Sequence, residues 1–281
     1  MKFKLTIKKS VIEKGRESVL TTAAKDIQLK GFRKGKAPLN MVEKSMGEKD
    51  IIEKTLDKIL PKAYADAVIE KKLRPIVHPK ITPTKLEAGK DWEFDIEIAQ
   101  RPKISLGDYK KQVKSALKKV KPVKPTKTKK TKDPKSPQEP SEHDQKIKAV
   151  FDVLLKNIKL NISPLLIDEE VNNQLSRLTE QIQKLGLSVE QYLTSMKTNL
   201  EKLKKEYQKT AKENLTLEFI LDEIAKDLKI KASNKDIDAL LKGVGSKEVS
   251  DRIKNDPREM SNINHMIEKR KTVEKLTSGN L

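Results

Sequence analysis

Asp91-Trp-Glu-Phe-Asp-Ile-Glu-Ile98 is the stretch on which the fold of the first hundred residues turns. Trp92, Phe94, Ile96 and Ile98 alternate with Glu93, Asp95 and Glu97. In an extended chain the apolar side chains then share one face and the carboxylates the other, so this is a strand with one buried side. Phe3, Leu5 and Ile7 alternate with Lys4, Thr6 and Lys8 in the same period of two. A third extended stretch, 76–86, is interrupted by Pro79 and Pro83, which confines it to an edge or an irregular strand.

Helical patterns fill the space between these strands. Ser10 and Glu13 have the spacing of a capping box, and Ile12, Val19, Leu20, Ala23 and Ile27 form one apolar stripe, with Gly31 placed to stop the helix. Pro38 suits the first turn of a second helix that buries Met41, Val42 and Met46 and stops at Gly47. A longer pattern from Lys49 to Ile69 contains Pro61, which predicts a kink or a split. Strand, helices and two strands make a small α+β domain over 1–109, with helices covering one face of an antiparallel sheet.

Between the first two helices stands Gly31-Phe-Arg-Lys-Gly-Lys-Ala-Pro38. Gly31 and Gly35 allow backbone angles closed to other residues. Arg33, Lys34 and Lys36 cluster around them, with Phe32 where solvent exposure is expected. A phosphate-cradling nucleotide loop would follow a strand and carry Ser or Thr after its lysine. This loop follows a helix and lacks that hydroxyl, which excludes nucleotide binding of that kind. Two readings stay open: a solvated helix-to-helix turn, or a docking hot spot in which cations grip phosphates or acidic side chains while a ring fills a pocket.

The whole chain of 281 residues has 61 Lys plus Arg against 41 Asp plus Glu, a formal +20, with 36% of positions charged and 35% hydrophobic. That balance disfavours one large spherical core and favours elongated helical parts. Residues 110–146 hold 13 basic and 4 acidic residues with Pro122, Pro125, Pro134, Pro137 and Pro140, the composition of a flexible linker. Its early part, Tyr109 to Val120, is compatible with a short helix or strand. The lysine-rich 118–135 reads equally as a self-repelling spacer or as a tether that touches phosphates. There is no Cys, which removes disulfides, thiolate metal sites and cysteine nucleophiles. Neither a signal-peptide apolar run nor a membrane-length one is present, which predicts a soluble, cytosolic protein.

From Ser141 onward helical stripes dominate, giving an all-α part over 147–281. Ile147, Val150, Phe151, Leu154, Leu155 and Ile158 form the first, and Leu165 to Leu185 the second, restarted by Ser163-Pro164 and ended by Gly186. Ser188 and Gln191 form a capping box, a long helix runs through Leu200 to Leu228, Ser233 and Asp236 open a short one, and Asp256-Pro257 opens the last. These stripes serve first as internal core. Helices this long in about 135 residues also leave apolar flank exposed.

The run Gly31 to Pro38 between two helices resembles the ribosome-docking signature of the trigger factor family. Leu39 to Gly47, the Arg74-Pro75 turn and Glu97 to Tyr109 read like that family's N-terminal domain. Ser163 to Glu170, Leu185 to Tyr192 and Leu217 to Leu228 are similar, more weakly, to its helical C-terminal domain. The resemblance implies an ATP-independent chaperone at the polypeptide exit tunnel. Phe32, Arg33 and Lys34, flanked by Gly31, Gly35 and Lys36, would contact a protein and rRNA of the large ribosomal subunit. The C-terminal domain, with arm-like helices, would form a cradle for nascent or unfolded chains, and weak homodimerisation is among the implied partnerships. Residues 110–146 are too short for the FKBP-type prolyl isomerase domain common in the family, so no isomerase activity is expected. The chain also begins later than the family pattern, which predicts three strands and a smaller cradle.

No catalytic, metal or cofactor site is expected. His78, His143 and His265 are isolated, and Asp168, Glu169 and Glu170 are read as first-turn helix residues after Pro164. Two other functions fit the composition: an RNA-binding assembly factor without chaperone activity, and a chaperone that never meets the ribosome.

Overall fold

The structure, a computed structural model, describes residues 1–29, 32–120, 141–243 and 247–281. They group into two compact units, Met1–Arg101 with Ser163–Leu166, and Pro102–Ile162 with Ile167–Leu281.

In the first unit β1 (Lys2–Ile7), β2 (Lys80–Lys85) and β3 (Trp92–Glu97) form an antiparallel sheet in the order β1-β3-β2. The alternating stretch is thus the central strand. Phe3 stands opposite Ile96, Leu5 opposite Phe94 and Ile7 opposite Trp92, so the apolar residues of both strands share one face. β2 is an edge strand with an irregular register between Pro83 and Lys85, where prolines are tolerated. Trp92, Phe94, Ile96 and Ile98 are each at most 2% exposed. They pack with Ile12 of α1 (Lys9–Asp26) and with Ile59 and Ala67 of α3 (Glu48–Glu70).

Three local expectations need correction. The Ser10/Glu13 capping box does not form. Helix α1 starts at Lys9, and its first amide donates to Asp91 Oδ1 at 2.8 Å, while Lys8 Nζ donates to Asp91 Oδ2 at 2.9 Å. A carboxylate from the start of β3 does the capping that sequence-local serine was expected to do. The first helix also ends at Asp26, before Gly31, which lies outside the described residues. Pro61 does not split the long pattern, because α3 runs through it as one helix. Helix α1 lies close against α3 at Gly15, where an added Cβ would stand 2.6 Å from Ile59 Cγ2.

The second unit holds, among the described residues, α4 (Tyr109–Lys119), α5 (Glu142–Asn157), α6 (Pro164–Lys184) from Ile167 onward, α7 (Val189–Ser195), α8 (Leu200–Asp227), α9 (Asn234–Lys242), α10 (Lys247–Asn255) and α11 (Pro257–Ser278). Tyr109 and Val113 of α4 pack with Val150 and Leu154 of α5, Ile220, Leu221 and Ile224 of α8, and Leu276 of α11. A second cluster joins Ile237 and Leu241 of α9 to Ile267 of α11. The box at Ser188/Gln191 forms as read, the helix start expected at Ser233 and Asp236 is a second box, and Ser141 with Asp144 makes a third. The cluster Asp168–Glu170 lies beyond the first turn of α6, which has no acid there.

The expected boundaries at 109 and 146 shift for a packing reason. The helical unit begins at Pro102, and α4 belongs to it because its Tyr109-Val113-Ala116 stripe is buried there. Tyr109 Oη donates to Asp227 Oδ2 at 2.6 Å, and Lys110 Nζ reaches the same oxygen at 3.0 Å. Burial and that carboxylate push the Tyr109 phenol well above its usual range, while the bonds from Tyr109 and Lys110 hold Asp227 below the ordinary carboxylate value. The linker residues 121–140 lie outside the described residues.

Candidate functional site

The basic loop joins α1 to α2 (Leu39–Met46). The Phe32 amide donates to Leu29 O at 3.1 Å and the Lys36 amide to Arg33 O at 2.9 Å, closing a four-residue turn over Arg33–Lys36. Gly35 has φ +82°, a left-handed value that a side chain resists. A Cβ there would find no heavy atom closer than 4.0 Å, so backbone angle and not space demands the glycine.

Phe32 was expected at an exposed tip. It is instead half-buried, packed against the cluster of Leu20, Ala24, Ala37, Val42 and Ile51. The reason is proximity: α1, α2 and the start of α3 meet directly under the loop, and the ring closes that small core. Its aromatic group anchors the loop from below. Arg33, Lys34 and Lys36 are exposed. Among the described residues no carboxylate stands within ion-pair distance of any of the three, and the sequence from Ile27 to Val42 contains no acid at all.

Two carboxylates flanking this stretch are held by one arginine that sequence reading did not single out. Arg16 of α1 donates from Nη2 to Glu43 Oε1 of α2 at 2.5 Å, and from Nη1 to Glu48 Oε1 at the start of α3 at 3.1 Å. Its side chain is 24% exposed, and the bonds to Glu43 and then Glu48 raise its pKa further. Arg16 therefore ties both helices that follow the loop to the one that precedes it, and draws Glu43 away from the loop cations. The signal in sequence was only an arginine on the polar side of a helix, without indication of its partners.

In the second unit, α6 ends at Lys184, just before Gly186, and α7 and α8 follow through short turns. The Leu187 amide donates to Ile182 O at 3.1 Å, and the Thr198 amide to Leu193 O at 3.0 Å, so both helix ends are closed by the wrap-around bonds of left-handed caps at Gly186 and Lys197. Leu185, Leu187, Val189, Met196 and Leu200 are all exposed, five of the twelve large exposed hydrophobics among the described residues, within sixteen positions. Helix α7 buries no residue. The apolar residues beside Gly186 and Ser188 were visible in the sequence, but their exposure was not, because the same letters on a packed hairpin would be core.

His78 and His143 are exposed. His265 Nε2 lies 3.4 Å from Asp222 Oδ1 and 3.7 Å from Glu218 Oε1, partners supplied by α8, and Lys269 Nζ bonds Glu218 at 2.5 Å. Among the described residues no group of three or more ligating side chains could hold a metal ion, and no helix is long and apolar enough to cross a membrane.

Residues 1–134 match the family model described as bacterial trigger factor protein (TF), and residues 127–278 the model of the bacterial trigger factor C-terminus. The two matches meet, with 127–134 in both. Trigger factor of Lactococcus lactis strain IL1403 is 39% identical over 105 residues, 37% of this chain and 25% of that one. Those of Streptococcus mutans and Enterococcus faecalis are 37% and 35% identical over the same length and shares. The matched part thus spans a quarter of the length of these curated relatives. A solved structure of the trigger factor chaperone, described for promiscuous substrate recognition in its folding and assembly activities, shares the fold with a TM-score of 0.66. It covers 99% of this chain and 96% of its own at 13% identity. With the C-terminal model spanning more than half of the residues and the N-terminal model meeting it, the chain belongs to the trigger factor family.

Proposed function

We propose that this protein is an ATP-independent chaperone that docks on the large ribosomal subunit beside the polypeptide exit and shields emerging chains. The observation that carries this reading is the cation cluster Arg33, Lys34 and Lys36, exposed and, among the described residues, without acidic partners, on a loop anchored by Phe32 and braced through Arg16. Such an array suits phosphate oxygens of rRNA and acidic side chains of a subunit protein, because each contact releases counterions or forms a charge-assisted hydrogen bond. Anchoring from below limits the conformational entropy lost when the loop docks.

The client side of the reading rests on the apolar cluster Leu185–Leu200. Dispersed apolar side chains on a thinly supported hairpin hold unfolded segments weakly and in many registers, which suits capture and release without nucleotide. Because the two family matches abut, no segment separates them that would accommodate an isomerase domain, and the proposed activity is binding without catalysis. A cytoplasmic, partly ribosome-associated location follows from this role.

Arg33→Ala combined with Lys34→Ala is expected to lower co-sedimentation with ribosomes at least about tenfold, with an unchanged thermal melt, since both side chains are exposed. Retention of full ribosome binding in that variant would overturn the docking role. Suppression of aggregation of a denatured protein without ATP tests the client side separately.

A further inference from the structure

Helices α4 and α5 enclose an open groove of about 550 Å³ whose chemistry the proposed docking does not use. Lys111, Gln112 and Lys119 line it from α4, and Asp152, Lys156 and Asn157 from α5. Among the described residues, Lys119 and Lys156 have no carboxylate within ion-pair distance. Lys111 has one, Asp108 at 3.5 Å, in a pair whose side chains are 84% and 76% exposed and which gives way readily to a better partner. Gln112, which lines the groove, also holds an unused acceptor: its Oε1 is buried beneath the wall and, among the described residues, receives no hydrogen bond. Such an oxygen is costly where it lies, and the glutamine side chain has the torsional freedom to turn it toward a donor in the groove.

Three cations around acceptors that include Gln112 and Asp152 match a particular ligand. Phosphates suit the lysines, and a hydroxyl suits the acceptors between them. A ribose–phosphate backbone has both in alternation, whereas DNA lacks the 2′-hydroxyl and an acidic peptide meets Asp152 with nothing to donate but amides. Among the described residues no aromatic side chain lines the groove, so bases have no stacking platform there and recognition would be of backbone and not of sequence. Helix α4 itself carries Lys110, Lys111, Lys114, Lys118 and Lys119 and no carboxylate, which raises the local positive potential.

We propose that the α4–α5 groove is a second RNA contact, binding the ribose–phosphate backbone through Lys111, Lys119 and Lys156 with Gln112 accepting from a ribose hydroxyl. This contact is independent of the basic loop at Arg33–Lys36 and stands whether or not that loop docks on the ribosome.

The test uses the full chain and fluorescence anisotropy with a labelled oligouridine and its deoxy counterpart over a salt series. Lys119→Ala combined with Lys156→Ala is expected to weaken oligouridine binding about tenfold. It should also flatten the slope of log K against log salt by about 1.4, since each phosphate neutralised on a single strand adds about 0.7 to that slope. Gln112→Leu is expected to narrow the preference for the ribo- over the deoxy-oligomer without changing the salt slope. In the wild-type chain, oligouridine is expected to protect Lys119 and Lys156 from acetylation, a readout that needs no variant to fold. An unchanged slope in the double variant, or absence of that protection, overturns the proposal and leaves RNA affinity to other lysines. Equal binding of polyglutamate, displaced by the same two substitutions, overturns it in favour of an acidic protein partner.

Discussion

The loop between α1 and α2 and the hairpin between α6 and α8 both expose side chains that most proteins would hide or pair, but they are supported differently. Beneath the loop lie a packed cluster and an arginine gripping two helices, in a unit whose sheet has its central strand buried on one face. Beneath the hairpin lies little: α7 buries nothing, and in the first half of α8 only Leu203 and Ala211 are buried. Charge recognition depends on where a few cations stand, so it benefits from a rigid base. Capture of varied apolar segments depends on adaptability, so it tolerates a soft one. The contrast teaches that one chain can place stability where geometry matters and leave it out where variety matters.

The largest expected effect comes from removing the rigid base. Phe94 is 1% exposed in the centre of the sheet core, and Phe94→Ala is expected to cost about 3–5 kcal/mol, a large share of a unit's stability. The chain's single tryptophan, Trp92, is 2% exposed on the same strand face, so its fluorescence reports the first unit alone. The variant should lose ribosome binding and show an early fluorescence melt, while far-ultraviolet circular dichroism keeps the later transition of the helices. Simultaneous loss of both signals would break the comparison by showing one cooperative molecule.

Next in size is the soft surface itself. Leu187→Ser, Met196→Ser and Leu200→Ser together should reduce aggregation suppression about tenfold, since partly burying each exposed apolar side chain against a client is worth on the order of 0.5 kcal/mol. Ribosome binding and both melts should stay close to wild type, because surface substitutions there remove no packing. A stabilised melt with full activity would show that clients bind elsewhere.

A smaller effect tests how the loop is positioned. Arg16 touches no proposed ligand and acts only through Glu43 and Glu48. Arg16→Met keeps the aliphatic packing of the side chain and removes both bonds, so ribosome affinity should fall a few-fold. The salt slope of binding should stay unchanged, since every docking cation remains in place. Arg16→Lys should recover only part of the affinity because one ammonium cannot hold two carboxylates as a planar fork does. A changed salt slope would make Arg16 a contact residue and not a brace.

How much of this was legible in sequence follows the range of the interactions. The period-two strands, the box at Ser188 and the helix start at Ser233 are written within a few residues, and each forms as read. Asp91 capping α1, Arg16 gripping two helices and Asp222 beside His265 join residues tens of positions apart, and no local pattern announces them. Phe32 and Leu185 show the same limit for burial. One aromatic in a basic loop turned inward because three helices converge beneath it, and one leucine beside a glycine stayed outward because nothing does. Helix α4 was half legible: its Tyr109-Val113-Ala116 stripe is helical, but the lysines around it have a linker's composition, and only contact with α5 and α8 decides the matter.

The finest distinction between the two units is electrostatic. Each has a helix start governed by one carboxylate. In the first unit Asp91 accepts from Lys8 Nζ and from the Lys9 amide. In the second, Asp236 Oδ2 accepts from Lys271 Nζ at 2.7 Å, the Ser233 hydroxyl at 2.6 Å and the Ser233 amide at 2.9 Å. Both carboxyls are held below their ordinary value, Asp91 by Lys8 foremost and Asp236 by Lys271 foremost, and the latter strongly. A depressed carboxyl favours the folded state when ionised. Its contribution is complete above the unfolded value of about 3.9 and disappears as pH falls through the lower folded value. Asp236→Asn should therefore lower the circular dichroism melt slightly at pH 7, leave the Trp92 melt untouched, and converge with wild type only in strong acid, as pH falls through the depressed folded value. Asp91→Asn should do the reverse, moving the Trp92 melt and converging with wild type at a higher pH, because fewer donors hold that carboxylate. If either substitution shifted both melts equally, the two units would be stabilising each other, and the division between a rigid base and a soft surface would have to be drawn within one cooperative body.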